Sequence, residues 1–99
     1  MVKIKICGMR RSEDIEMANR YKPDYIGFVF ADSPRKVSYG QAKELSRLLS
    51  DDIVPVGVFV NDYMKLIVNL FKDGIIEMAQ LHGDEDEKYI RNLKYKSIE

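Results

Sequence analysis

At 99 residues the chain can bury one modest core and is too short for two domains. Its 16 basic side chains balance 16 acidic ones, so no net field steers it toward nucleic acid or a charged membrane surface. A single cysteine forms no internal disulfide, and no long apolar run follows the first lysine; both suit a cytoplasmic chain with no signal peptide and no membrane span.

The first apolar-biased run covers residues 3–7 and alternates as a strand does, until Gly8 breaks it. A helix is expected from about Ser12, a candidate N-cap, to Tyr21. Residues 24–30 form a second strand. Ser38 and Gln41 complete a capping box that opens a second helix, with Ala42, Leu45, Leu48 and Leu49 as its apolar stripe. A third strand spans 54–60. The third helix follows Asn61-Asp62, carries Leu66, Ile67, Leu70 and Phe71, and stops at Gly74. A fourth strand spans 77–82. After Asp84 the spacing of Tyr89, Ile90 and Leu93 predicts a fourth helix, and residues 97–99 could begin a fifth strand. No linker or low-complexity stretch divides the chain, so residues 1–99 read as a single four-unit βα repeat.

Alternating strands and helices imply a parallel sheet with right-handed crossovers. Two α/β architectures fit. One is half of an eight-stranded TIM (β/α)8 barrel; the other is an open, flavodoxin-like parallel sheet with helices on both faces. Both bury their strands on two faces, so strand composition leaves the choice open.

Either way the strand ends collect on one edge, where α/β proteins concentrate their chemistry. Cys7 sits at that edge and can act as general base or nucleophile if Lys5, Arg10, Arg11 or Arg35 favours its thiolate; otherwise it is a small packed hydrophobe. Arg35, in the loop after the second strand, can grip a carboxylate or phosphate with two parallel hydrogen bonds, or remain a solvated charge. Gln80 and His82 share a face of the fourth strand, and the following Gly83 lets a ligand approach closely. His82 can donate to a carboxylate or be satisfied by nearby backbone. One Cys and one His far apart make no metal ligand set. No Gly-rich phosphate loop is present, and Asp84–Glu87 suits the first turn of a helix.

Four blocks occur in register: Lys5-Ile6-Cys7-Gly8; Gly27-Phe28-Val29-Phe30 with Ser33-Pro34-Arg35; Val56-Gly57-Val58-Phe59-Val60-Asn61; and Gln80-Leu81-His82-Gly83-Asp84-Glu85. Together they resemble the phosphoribosylanthranilate isomerase family, a TIM-barrel enzyme of tryptophan biosynthesis, over essentially the whole chain. The resemblance implies a cofactor-free Amadori rearrangement of N-(5-phosphoribosyl)anthranilate. In it Cys7 resembles the general base, Arg35 the residue that binds the anthranilate carboxylate, and His82 a histidine lining the same pocket, with Gln80 beside it. The family's general acid, an aspartate at a later strand end, and its phosphate site both belong to the second half of the barrel. Neither has a counterpart here, so the isolated chain is expected not to complete the reaction.

Two unpaired strand edges are expected of such a half-barrel. They invite a homodimer that pairs the fourth strand of each copy with the first of the other, or a complementary C-terminal half. Two other readings stand beside the isomerase: a non-catalytic half-barrel assembly module, and a small doubly wound binding module. A phosphoacceptor module would want acidic residues where Cys7-Gly8-Met9-Arg10 and Val60-Asn61 stand. Another phosphosugar isomerase or epimerase fits the Cys7 and Gln80-His82 blocks less well.

Overall fold

Strand order separates the two architectures. The structure, a computed structural model, describes residues 3–31, 33–60, 64–82 and 87–91, with 81–82 and 87–91 described by their backbone. Its elements are β1 (Lys5–Cys7), α1 (Ser12–Tyr21), β2 (Tyr25–Val29), α2 (Tyr39–Leu48), β3 (Val54–Val60), α3 (Met64–Lys72), β4 (Met78–His82) and β5 (Glu87–Arg91). The sheet order is β1-β2-β3-β4-β5, and the first four strands run parallel. Each strand therefore lies beside its predecessor, as in a barrel; an open doubly wound sheet reverses its order at a switch point.

The helices confirm this by covering one face only. Ile26 and Phe28 of β2, Phe59 of β3 and Ala79 of β4 pack against Ile15 and Ala18 of α1, Ala42 and Leu45 of α2, and Ile67, Leu70 and Phe71 of α3. Ile26 and Phe28 are fully buried, and each such side chain contributes about 1.5–3 kcal/mol. Phe30 and Phe59 stack at 5.2 Å between ring centroids. Register places the alternate residues, Lys5, Cys7, Gly27, Val56, Val58 and Gln80, on the opposite face. Across that face Lys5 Nζ donates to Gln80 Oε1. Three strand spacings separate β1 from β4, about 14 Å on a flat sheet. Both side chains also rise from the sheet before turning toward each other, so the bond requires a concave face.

Local chemistry sets the helix ends. Ser38 Oγ accepts from Gln41 N at 3.1 Å and Gln41 Oε1 accepts from Ser38 N at 3.0 Å, the reciprocal box expected. At α1 the expectation of a Ser12 cap is corrected. Arg11 holds the N-cap position, and the Asp14 carboxylate does the capping. Asn19 ties α1 to α2: its Nδ2 donates to Leu48 O and its Oδ1 accepts from Ser50 N, both at 2.8 Å. Gly74 follows α3 at φ 73°, the left-handed C-terminal glycine the sequence called for. The Asn61-Asp62 cap and the strand suggested at 97–99 lie outside the described residues.

Among the described residues the expected fourth helix is replaced by a strand, while Leu93 of its stripe lies outside them. Residues Glu87–Arg91 instead pair antiparallel with β4, Tyr89 opposite Gln80 and Ile90 opposite Ala79. The apolar spacing of Tyr89 and Ile90 fits a helix only where a sheet face waits to bury it. Beside β4 waits a row of unpaired N–H and C=O groups, and Tyr and Ile are good strand formers. The expectation of two open edges is corrected with it: β5 occupies the outer side of β4, so the pairing of β4 with β1 of a second copy has no free β4 edge. At the other end β1 has one neighbour, its three residues are exposed, and Ile4, Ile6 and Met17 of α1 lie open nearby.

Candidate active site

The site is built where β1 ends. Cys7 is its last residue, and the thiol is free and exposed. Its sulfur lies over Gly27, directly opposite on β2. Gly8 then turns the chain at φ 90°, and the N–H groups of Gly8 and Met9 both donate to Gly27 O at 3.0 Å. The buried Met9 anchors this turn in the core.

Asp14 fixes the loop that follows. Its Oδ2 accepts from the backbone N–H of Arg10 and of Arg11, each at 3.0 Å, and Arg11 Nη2 lies 3.3 Å from its Oδ1. Partial burial pushes this carboxyl's pKa up, but the backbone hydrogen bonds of Arg10 and Arg11 and the Arg11 guanidinium outweigh it, so the net direction is down. Arg10 reaches onward: its Nη1 donates to Pro34 O at 2.9 Å. That bond joins the β1–α1 loop to the β2–α2 loop. In the second loop Ser33 folds the chain back, accepting from Arg35 N at its Oγ and from Lys36 N at its carbonyl. The Arg35 side chain then crosses Gly8.

Cys7, Gly8, Arg10, Arg11, Asp14 and Arg35 thus line one pocket of about 300 Å³. Three guanidinium groups against one carboxylate give it a positive balance, suited to an anionic ligand. The structure brings together two of the expected residues, Cys7 and Arg35. Gln80 stands apart: it is buried on β4 and its oxygen accepts from Lys5. His82 ends β4 in register with Val60, and its side chain lies outside the described residues. Among the described residues no group of three His, Cys, Asp or Glu converges as a metal site, and no helix is long and apolar enough to cross a membrane.

Sequence reasoning missed Asp14 and Gly27. Asp14 had a legible signal, an acidic residue in the first turn of the expected helix. Gly27 stands in the second motif block, but it had no role until register set it opposite Cys7.

Residues 4–98 match the family model of N-(5'phosphoribosyl)anthranilate (PRA) isomerase. The chain belongs to that family. It is 54% identical over 94 residues to the N-(5'-phosphoribosyl)anthranilate isomerase of Endomicrobium trichonymphae, a match that covers 95% of this chain and 47% of the relative. Among solved structures it is similar to a phosphoribosylanthranilate isomerase in complex with reduced 1-(o-carboxyphenylamino)-1-deoxyribulose 5-phosphate, at 36% identity and TM-score 0.78, over 87% of this chain and 45% of that one. It is likewise similar to monomeric forms of the dimeric enzyme from Thermotoga maritima, at 37% identity and TM-score 0.76, over 87% of this chain and 44% of that one. The chain spans about half the length of the curated relatives it matches. Its fold is accordingly that of part of the PRA isomerase TIM barrel, β1 to β4 in barrel order with helices on the outer face. The Cys7-Gly8 turn and the Arg35 loop meet at the C-terminal edge, the side on which barrels of this kind place their active sites.

Proposed function

We propose that the chain supplies the proton-abstracting half of a PRA isomerase site. The observation that carries this reading is that Cys7, free and exposed, lines one pocket with Arg35 at the C-terminal edge of a barrel-ordered sheet. The substrate is N-(5-phosphoribosyl)anthranilate. A general acid opens its ribose ring to a Schiff base. The Cys7 thiolate removes the proton on C2, and the electron pair moves into the imine, whose nitrogen accepts it. Proton transfer then leaves the aminoketose, so C1 is reduced as C2 is oxidised and no cofactor is needed. A positioned base of suitable pKa is what this step demands.

Arg35 holds the anthranilate carboxylate with parallel hydrogen bonds, and the family resemblance gives His82, the last residue of β4, a part in binding the same substrate. Gln80 supports this rim from below by holding Lys5 across the concave face. The solved relative bound to a reduced carboxyphenylamino-deoxyribulose phosphate supports a ligand of this class. The acid and the phosphate site come from a complementary C-terminal half, which pairs with the open β1 edge and takes the place of β5 beside β4; exposed Ile4, Ile6 and Met17 favour association at the β1 edge, with that half or with a second copy. The chain works in the cytoplasm, as the lone free thiol suggests.

The test is the isomerase assay after co-expression with residues equivalent to the second half of a relative. Activity is expected in the reconstituted barrel, absent from the isolated chain, and lost with Cys7→Ala. Turnover that survives Cys7→Ala would overturn the assignment.

A further inference from the structure

We infer that Gly8 and Gly27 are positioning residues: two missing β-carbons, one beneath Arg35 and one beneath Cys7, let a guanidinium and a thiol share the end of β1. The inference rests on the reading of Cys7 and Arg35 given above, but its main test needs no turnover.

At Gly27 the backbone is an ordinary strand, paired on both sides, so no unusual dihedral calls for glycine. The sulfur does. A β-carbon there would stand 2.7 Å from Cys7 Sγ, while the Cα and Cβ of Cys7 would be 3.4 Å away. Unstrained contacts lie at about 3.5–4.0 Å. The backbone can therefore accept a methyl group with little movement, but the sulfur must turn away from its present place. At Gly8 the left-handed φ of 90° already favours glycine. A β-carbon would in addition stand 2.6 Å from Arg35 Cδ and 3.1 Å from its Nη1. The side chain of Arg35 lies in the volume that any other residue at position 8 would fill. Filling either position separates the base from the carboxylate anchor without removing either one.

The single cysteine makes this measurable by alkylation of the 99-residue chain with iodoacetamide, which is neutral, and iodoacetate, which carries a carboxylate. In both reactions the thiolate forms a C–S bond, iodide leaves with the C–I electron pair, and the thiol proton goes to solvent. Arg35, lining the same pocket as Cys7, raises the iodoacetate-to-iodoacetamide rate ratio above that of the urea-unfolded chain; a full ion pair, two unit charges about 4 Å apart in water, sets its ceiling at about fivefold. Gly8→Ala and Arg35→Met are each expected to lower the ratio by the share that Arg35 contributes, leaving what Arg10 and Arg11 add, while iodoacetamide still reacts. Gly27→Ala is expected to change the iodoacetamide rate itself severalfold.

Stability in urea provides the second measurement. Gly27→Ala destabilises the chain more when Cys7 is present than in the Cys7→Ala background, because only the sulfur is in its way; a Gly27→Ala chain that folds only in that background gives the same answer. Wild-type rates and ratio in folded Gly8→Ala and Gly27→Ala, or equal destabilisation in both backgrounds, would overturn the inference. In the reconstituted barrel, Gly27→Ala lowers kcat and Gly8→Ala raises KM. If alkylation shows the shared site but activity survives Cys7→Ala, the positioning holds and the isomerase reading fails.

Discussion

Removing the Asp14 carboxylate tests how the loop carrying the site is held. In Asp14→Ala, the backbone N–H groups of Arg10 and Arg11 lose the oxygen they share at 3.0 Å, and the Arg11 guanidinium loses its partner. Losing an N-terminal cap costs about 0.5–2 kcal/mol, and Arg10 and Arg11 are exposed enough for water to take over part of the bonding. We expect a loss of about 1 kcal/mol, read as a lower urea midpoint at unchanged slope. The pH dependence follows from the lowered pKa. A carboxyl whose folded pKa is depressed stabilises the fold fully above its unfolded value of about 3.9, and that contribution disappears as pH falls through the folded value. Wild type and Asp14→Ala should therefore differ most near neutrality and converge as the pH falls below the lowered folded pKa of Asp14. Urea titrations at both ends of that range measure the difference. Identical midpoints at neutral pH, or a gap that does not shrink in acid, would refute the account of the loop.

Asn19→Ala removes both hydrogen bonds to the end of α2 and should cost about 1–3 kcal/mol in the same titration, more than Asn19→Asp, which keeps the acceptor for Ser50 N. Lys22 closes α1 at φ 53°, so Lys22→Gly should gain up to about 1 kcal/mol in thermal unfolding; the exposed ion pair to Asp52 that it gives up is worth little. Phe28→Ala empties a fully buried core site and should cost about 3–5 kcal/mol, enough to leave a chain of this size largely unfolded by circular dichroism.

Period and punctuation alone determined the parallel strands, three helices and the Ser38 and Gly74 helix ends, because these depend on residues within a turn or two of each other. The strand pattern likewise puts Cys7 at the end of the first strand and Arg35 in the loop after the second. Tertiary structure alone decided three things. Helices on one face and a bond from Lys5 to Gln80 made the sheet a curved barrel segment, a property of contacts 75 residues apart. Tyr89 and Ile90 became a strand, because an unpaired backbone edge beside them outweighed their helical spacing. The space for the Cys7 sulfur came from Gly27, whose importance lies in a side chain it lacks and in a strand register that local sequence does not encode.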